Sequence, residues 1–381
     1  MKKCIILHTA NYSSKIKNYF CVDELIKNGV DVEFWNVGPI TVNEHLAEEF
    51  SKGLIIHTIN SIKELKAKIQ INKEAYFFSY INFAWYSLSL YRELSKQGVK
   101  IVYCTSGWLP SFGHGRIQKS LSIVKLKNKT RSLIVRLLRN SFLVKPADFV
   151  LKSCKYSDAD CKVSKKTIYI GVNSSDYQGF KLKIAESSFT VNKERNIVYI
   201  DQYLPFHKDY TLFGIKHIDK TKFYTSLNSL FSKLEKIYDC KVVIAAHPSS
   251  ILYKQENYFE GREIFFNKTS ELIHGSIGAI SFTSTAVSFP VIEHKPILFY
   301  SSFEIDKKYT NQFPRLFSEL LGSKFINIDE FSDCRFNNVD TNKYDVYIYD
   351  YLTTKSSIND NNSDIILSII NNDYFKFKYY E

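Results

Sequence analysis

No stretch of this sequence approaches the roughly 18 uninterrupted apolar residues that a membrane-crossing helix needs. The basic start Met1-Lys2-Lys3 is followed by an apolar run that already ends at His8, too short for the core of a secretory leader. These absences point to a soluble or peripheral protein. The 7 cysteines are odd in number and scattered, with no CxxC pair and no histidine-rich spacing. Neither a disulfide framework nor a zinc site is therefore expected, and a reducing cytoplasm is the natural compartment. No internal repeat or heptad run is visible, which speaks against solenoid and coiled-coil architectures. Between Leu94 and Ala147 acidic residues are missing altogether.

That acid-free stretch holds nearly as many cations as the whole net charge of +12, among them Lys125, Lys127, Lys129, Arg131, Arg136 and Arg139. Within it Leu133, Ile134, Leu137, Leu138 and Phe142 recur at helical spacing, opposite Lys129, Ser132, Arg136 and Arg139. This is the pattern of a basic amphipathic helix. Such a helix suits an anionic lipid surface or an acidic glycan. It equally suits an ordinary surface helix whose apolar stripe lies on the core. Nucleic acid is not expected as a partner, because no RNA- or DNA-binding motif accompanies the charge.

With 381 residues and 45% apolar content, the chain has material for two cores of about 150 to 200 residues each. Its first half alternates strand and helix. Strands are predicted at Lys3 to His8, Val30 to Val37, Leu54 to Thr58, Ala75 to Tyr80 and Lys100 to Cys104, with helices at Lys15 to Asn28, Ile62 to Ile71 and Phe83 to Gln97. Alternation at this spacing specifies βαβ units and a parallel sheet. The breaker-rich segment Thr105 to Ser120 reads as a long loop at a strand's carboxyl end.

Periodicity fades between Lys152 and Glu194, and the inter-domain connection is placed there. An N-terminal domain is expected over 1–170 and a C-terminal one over 171–381, with the closing helix after Asn359 to Asp364 free to pack back on the first. The second series begins with strand Asn196 to Ile200 and a helix at Lys222 to Tyr238. Strands Lys241 to Ala246, Ile264 to Phe266, Gly278 to Phe282 and Pro296 to Tyr300 follow. The expected class is α/β, two Rossmann-type domains with parallel sheets facing a central cleft.

Two strands of the second series run out into small polar turns. Lys241 to Ala246 ends in His247-Pro248-Ser249, and Gly278-Ala279-Ile280 leads through Ser281-Phe282 into Thr283-Ser284-Thr285. Open α/β sheets bind ligands outside the carboxyl ends of their strands. Histidine, hydroxyls and the amides of a helix start are donors for phosphate. Two such turns in one half suggest a nucleotide mono- or diphosphate site, although a His-Pro pair alone also simply ends strands. Asp201 follows the strand Asn196 to Ile200 directly and should face the cleft, where it would serve as a base. It opens a run to Asp209 in which His207 and Asp209 are the further candidates. The alternative for Asp201 is a capping role through its own backbone bonds. Pro290 removes an amide from the helix after Thr285, which should be short or kinked.

His247-Pro248 and Ser284-Thr285 resemble the His-Pro and Ser/Thr motifs of bacterial sialyltransferases and related enzymes of the GT-B class that use CMP-activated nonulosonic acids or Kdo. The segment Lys268 to Ile273 followed by Ser284-Thr285-Ala286 looks similar to surface-polysaccharide proteins of that group. The resemblance spans roughly Ile197 to Tyr300. It implies an inverting, metal-independent glycosyltransferase with no cofactor beyond its donor. The enzyme would move a sialic-acid-like or Kdo sugar from CMP to a polysaccharide or lipooligosaccharide acceptor, lipid-linked or free, of a capsule or similar surface glycan. His247 would hydrogen-bond or protonate the leaving phosphate. Pro248, Ser249, Thr283, Ser284 and Thr285 would line that phosphate, and Asp201 would take the acceptor proton. Teichoic-acid-type transferases of polyol phosphates from CDP donors resemble the chain in the same turns. A non-catalytic glycan- or nucleotide-binding module is a third possibility. The expected location is the cytoplasm, on the inner face of the membrane where the basic helix binds lipid.

Overall fold

The computed structural model describes residues 2–42, 54–105, 110, 133–139, 141–157, 160–185, 195–207, 217–305 and 312–379. Asp209, most of the segment Thr105 to Ser120, and Lys129 and Ser132 of the basic stretch lie outside them. The chain forms two compact units. Unit 1 holds Met1–Trp108, Arg116–Gly179 and Tyr349–Glu381, and unit 2 holds Leu109–Gly115 and Phe180–Ile348.

Unit 1 is built on a sheet of strands β1 (Lys3–His8), β2 (Asp31–Asn36), β3 (Ile55–Thr58), β4 (Tyr76–Ser79), β5 (Lys100–Cys104), β6 (Phe149–Lys152) and β7 (Ile168–Gly171). They lie in the order β3-β2-β1-β4-β5-β6-β7, and all pairings are parallel. Side chains alternate across the pleat: Cys4 and Ile6 enter one core cluster, and Ile5 and Leu7 enter the other. A sheet covered on both faces explains why these strands read as unbroken apolar runs. The helix expected over Lys15 to Asn28 is two helices, Ser14–Phe20 and Val22–Lys27. They are separated at the buried Cys21, whose φ of 47° is left-handed and cannot continue a helical turn.

Unit 2 carries β8 (Asn196–Ile200), β9 (Lys241–Ala246), β10 (Ile264–Phe266), β11 (Ser276–Ser281), β12 (Ile297–Ser301) and β13 (Lys324–Asn327). Their order is β10-β9-β8-β11-β12-β13, again parallel. The long helix Lys220–Tyr238 starts two residues before the expected Lys222, because the Asp219 carboxylate accepts from the amides of Thr221 and Lys222. It buries Phe223, Leu227, Leu230, Phe231 and Leu234 against one face of this sheet. After Thr285 the helix is indeed short: a 3₁₀ turn, Thr285–Val287, passes into Ser288–Ile292, which contains Pro290.

The units differ from a single cut at residue 170. The fading pattern after Lys152 conceals β7 and the helix Ser175–Ala185, and the boundary between Gly179 and Phe180 falls inside that helix. The chain returns to unit 1 at Tyr349. There the helix Asn362–Ile370 buries Ile365, Ile366, Ile369 and Ile370 in the unit 1 core, a gain of roughly 1.5 to 3 kcal/mol for each side chain. Asn362 fixes its start by donating to the carbonyls of Tyr19 and Asn173 at 2.8 and 3.0 Å. The same returning segment crowds Gly171, where a Cβ would run into the hydroxyls of Thr354 and Ser356. Gly171→Ala is expected to destabilise unit 1 by about 1 to 3 kcal/mol, read as a lowered denaturant midpoint. An unchanged midpoint would mean that Thr354 and Ser356 turn aside freely.

Candidate functional site

β8 sits between β9 and β11. The chain builds outward from β8 to β9 and β10, then returns to lay β11, β12 and β13 on its other side. The strand order therefore reverses beside β8, the place where an open α/β sheet leaves a crevice for a ligand. The carboxyl ends of these three adjacent strands deliver Asp201, His247 and the Thr283-Ser284-Thr285 turn respectively.

The turns are tied to one another. The Asp201 amide donates to the Ala245 carbonyl at 3.1 Å, while its carboxylate accepts from the Tyr203 amide at 3.0 Å, the His247 amide at 3.4 Å and the Tyr253 hydroxyl at 3.3 Å. The hydroxyls of Tyr224 and Tyr253 lie 2.8 Å apart. With the Tyr253 proton given to Asp201, Tyr224 is the donor in that pair. On the other side Gln202 Oε1 accepts from the Thr283 amide at 2.6 Å, so the residue after Asp201 anchors the β11 turn. Tyr203 takes a left-handed φ of 56° before the 3₁₀ turn Leu204–Phe206. Strain of this kind survives only where surrounding contacts impose it.

His247 is half-buried, and its Nδ1 accepts from the Ser249 amide at 3.1 Å. Burial, and secondarily the neighbouring His207, hold its pKa below the ordinary histidine value. The imidazole is thus neutral near pH 7 and carries its proton on Nε2, which makes it a hydrogen-bond donor. Pro248 and Ser249 are exposed, and the buried Ser250 hydroxyl closes the turn by donating to the His247 carbonyl. Ser284 is the N-cap of the 3₁₀ turn, its Oγ accepting from the Ala286 amide at 3.2 Å. Thr283 and Ser284 are half-buried and Thr285 is exposed. The turns after β9 and β11 offer an imidazole N–H and hydroxyls on either side of β8, donors of the kind that suit an anion.

Asp201 does not stand in the open as its position after β8 suggested. It is 4% exposed and backed by an aromatic wall in which the Tyr203 and Tyr253 rings meet edge to face at 5.1 Å. Burial pushes its carboxyl up to about 6, against the pull of the Tyr203 and His247 amides and the Tyr253 hydroxyl. Its oxygens hold the two turns in place, which is the capping alternative extended to a second strand. His207 is half-buried, its ring 6.3 Å from that of His247. Gln202, Tyr253 and Tyr224 escaped the sequence pattern. Gln202 could have been suspected from its place beside Asp201, whereas the tyrosines look like any other core aromatics.

No protein-family model matches the sequence, and no curated protein matches it. Among solved structures, the wall teichoic acid polymerase TagF superposes with a TM-score of 0.53 at 15% identity, over 97% of this chain and 88% of that one. A form of the same polymerase soaked with CDPG gives 0.52 at 14% identity, over 98% and 88%. UDP-GlcNAc 2-epimerase of Methanocaldococcus jannaschii gives 0.50 at 12% identity, over 97% and 99%. At these identities the likeness is one of fold. The chain has a GT-B-type fold of two Rossmann-like parallel-sheet domains.

Proposed function

We propose that this chain is a GT-B transferase with a cytidine-activated donor, moving a nonulosonic-acid or Kdo-type sugar from CMP to a surface glycan acceptor at the cytoplasmic side of the membrane. The observation that carries the reading is the half-buried His247 with its Nε2–H at the end of β9 and the capped Ser284 turn at the end of β11, on either side of β8 where the strand order of the unit 2 sheet reverses. As the glycosidic bond breaks, negative charge develops on the departing phosphate of CMP. The His247 N–H and the hydroxyls of Thr283, Ser284 and Thr285 stabilise it without a metal. Asp201 acts through His247 and Tyr203 as a positioning residue.

The acceptor hydroxyl must lose a proton, and His207 is assigned that step because it is half-buried with its ring 6.3 Å from that of His247. His207→Ala should then abolish transfer while leaving CMP affinity within about twofold. A parallel loss of both would return His207 to the donor site.

A transferase taking a polyol phosphate from a CDP donor is the second reading, favoured by the likeness to TagF, a protein studied with CDPG. CMP is the leaving group in both cases, so the same phosphate site serves either. Thermal-shift titration with CMP, CDP, UDP and GDP tests the shared part, where CMP is expected to stabilise most. Release of CMP from a CMP-sugar or from CDP-glycerol then separates the two. Binding of CMP without turnover of any donor would make the chain a nucleotide-binding module.

A further inference from the structure

The basic helix at 133–139 turns its apolar stripe outward. Val135 packs on the unit 1 core cluster that contains Tyr103 and Val144. One turn on, the Arg139 guanidinium donates to the Phe83 carbonyl at 3.2 Å and to the Asp160 carboxylate. At 100° per residue, Val135 and Arg139 share the face toward the protein and Leu133 and Leu137 lie opposite. Leu133 is 58% exposed, Leu137 62% and, just beyond the helix, Phe142 95%. The core-packing alternative for this stripe is therefore set aside. A cluster of large exposed apolar side chains on a charged surface marks a contact site.

Cations frame it. A cavity of about 480 Å³ is lined by Phe142 and Leu143 together with Arg92, Lys96, Lys145 and Lys162. Lys96 pairs with Glu93 at 2.6 Å and Lys145 with Asp148 at 2.7 Å. Arg92, Lys162 and the exposed Arg136 have no carboxylate partner among the described residues. A second copy of this chain, with its net charge of +12, would bring like charge against like. A nucleic acid would satisfy the cations and leave Leu133, Leu137 and Phe142 in water. An anionic bilayer satisfies both sets, apolar side chains below the head groups and cations among them. No helix among the described residues is long and apolar enough to cross a membrane, so the contact is interfacial.

We propose that this face docks unit 1 on an anionic lipid surface, with Leu133, Leu137 and Phe142 inserted and a lipid phosphate held in the cavity by Arg92 and Lys162. This holds whatever donor the enzyme uses, and it would bring the active site to lipid-linked acceptors.

Co-sedimentation of the full chain with phosphatidylglycerol-containing vesicles, against pure phosphatidylcholine, tests the proposal. Pelleting is expected with the anionic vesicles only and should weaken steeply at high salt. Arg92→Gln with Arg136→Gln should lower partitioning about 25-fold, at roughly five-fold for each surface cation. Leu133→Gln, Leu137→Gln and Phe142→Gln together should lower it at least as much without changing the salt dependence. Phe142→Trp supplies a readout that does not depend on the folding of those variants: its added fluorescence should shift to the blue on anionic vesicles. Equal pelleting on both vesicle types, or no shift for Phe142→Trp, overturns the proposal. So does a dimer in solution that the three apolar changes dissolve, since the face would then belong to a second copy.

Discussion

His247→Ala is expected to weaken CMP binding and donor turnover by about 2 to 4 kcal/mol, roughly 30- to 1,000-fold, because it removes a preorganised N–H donor aimed at the leaving phosphate. Folding should survive: the side chain is only half-buried, its one bond to the turn, from the Ser249 amide, lies at an exposed position, and the remaining contacts are made by the backbone of His247 with Asp201 and Ser250. Ser284 gives a sharper contrast, since its side chain also caps the 3₁₀ turn. Ser284→Ala should lose about 1 kcal/mol of stability with the cap as well as CMP affinity. Ser284→Asp keeps a good cap and sets a negative charge against the phosphate, so the fold should hold while CMP binding disappears. Calorimetric titration with CMP and a coupled CMP-release assay read these outcomes. Wild-type affinity in both His247→Ala and Ser284→Asp would remove the phosphate from this site.

Asp201→Asn should change stability and activity together. In the wild type, burial raises the carboxyl pKa from 3.8 to about 6, so the native state binds its proton more tightly than the unfolded chain does. That contribution is complete below about pH 4 and is lost as pH rises through about 6, amounting to on the order of 3 kcal/mol. Asparagine has no such titration. The difference in unfolding free energy should therefore move in favour of the variant by about that amount between about pH 4 and pH 7, measured by denaturant titration of the unit 2 transition. In the assay, asparagine turns an amide toward groups that themselves donate, loosening the His247 and Tyr203 turns. CMP affinity and turnover should then fall together, by roughly 10- to 100-fold, the cost of about one hydrogen bond to a charged group. If turnover vanished while CMP affinity stayed intact, Asp201 would be the base itself and its role as a positioning residue would fail.

The parallel α/β architecture was legible because each strand is short, apolar and punctuated. β1, β5, β8, β9 and β10 have the bounds that their sequences predict. The two phosphate-type turns were legible for the same reason, each being a strand that stops in small polar residues. The short β6, with only Phe149, Val150 and Leu151 as its apolar run, was missed for its length, and β7 and the helix Ser175–Ala185 because polar residues interrupt their patterns. The break at Cys21 was invisible too, since a left-handed cysteine leaves no mark on an apolar periodicity.

The sequence by itself determined which residues end strands and which segments carry an apolar stripe, because both follow from periodicities of two and 3.6 within a few neighbouring positions. Tertiary structure decided which of those ends meet. β8 lies next to β11 although more than 70 residues separate them in the chain, and only that pairing sets Gln202 on the Thr283 amide and Asp201 on the His247 turn. It also decided that Asp201 is buried and that Leu133 and Leu137 face outward. An amphipathic pattern specifies two faces and leaves open which one meets the protein. Here the long-range bonds of Arg139 to Phe83 and Asp160 turn the helix.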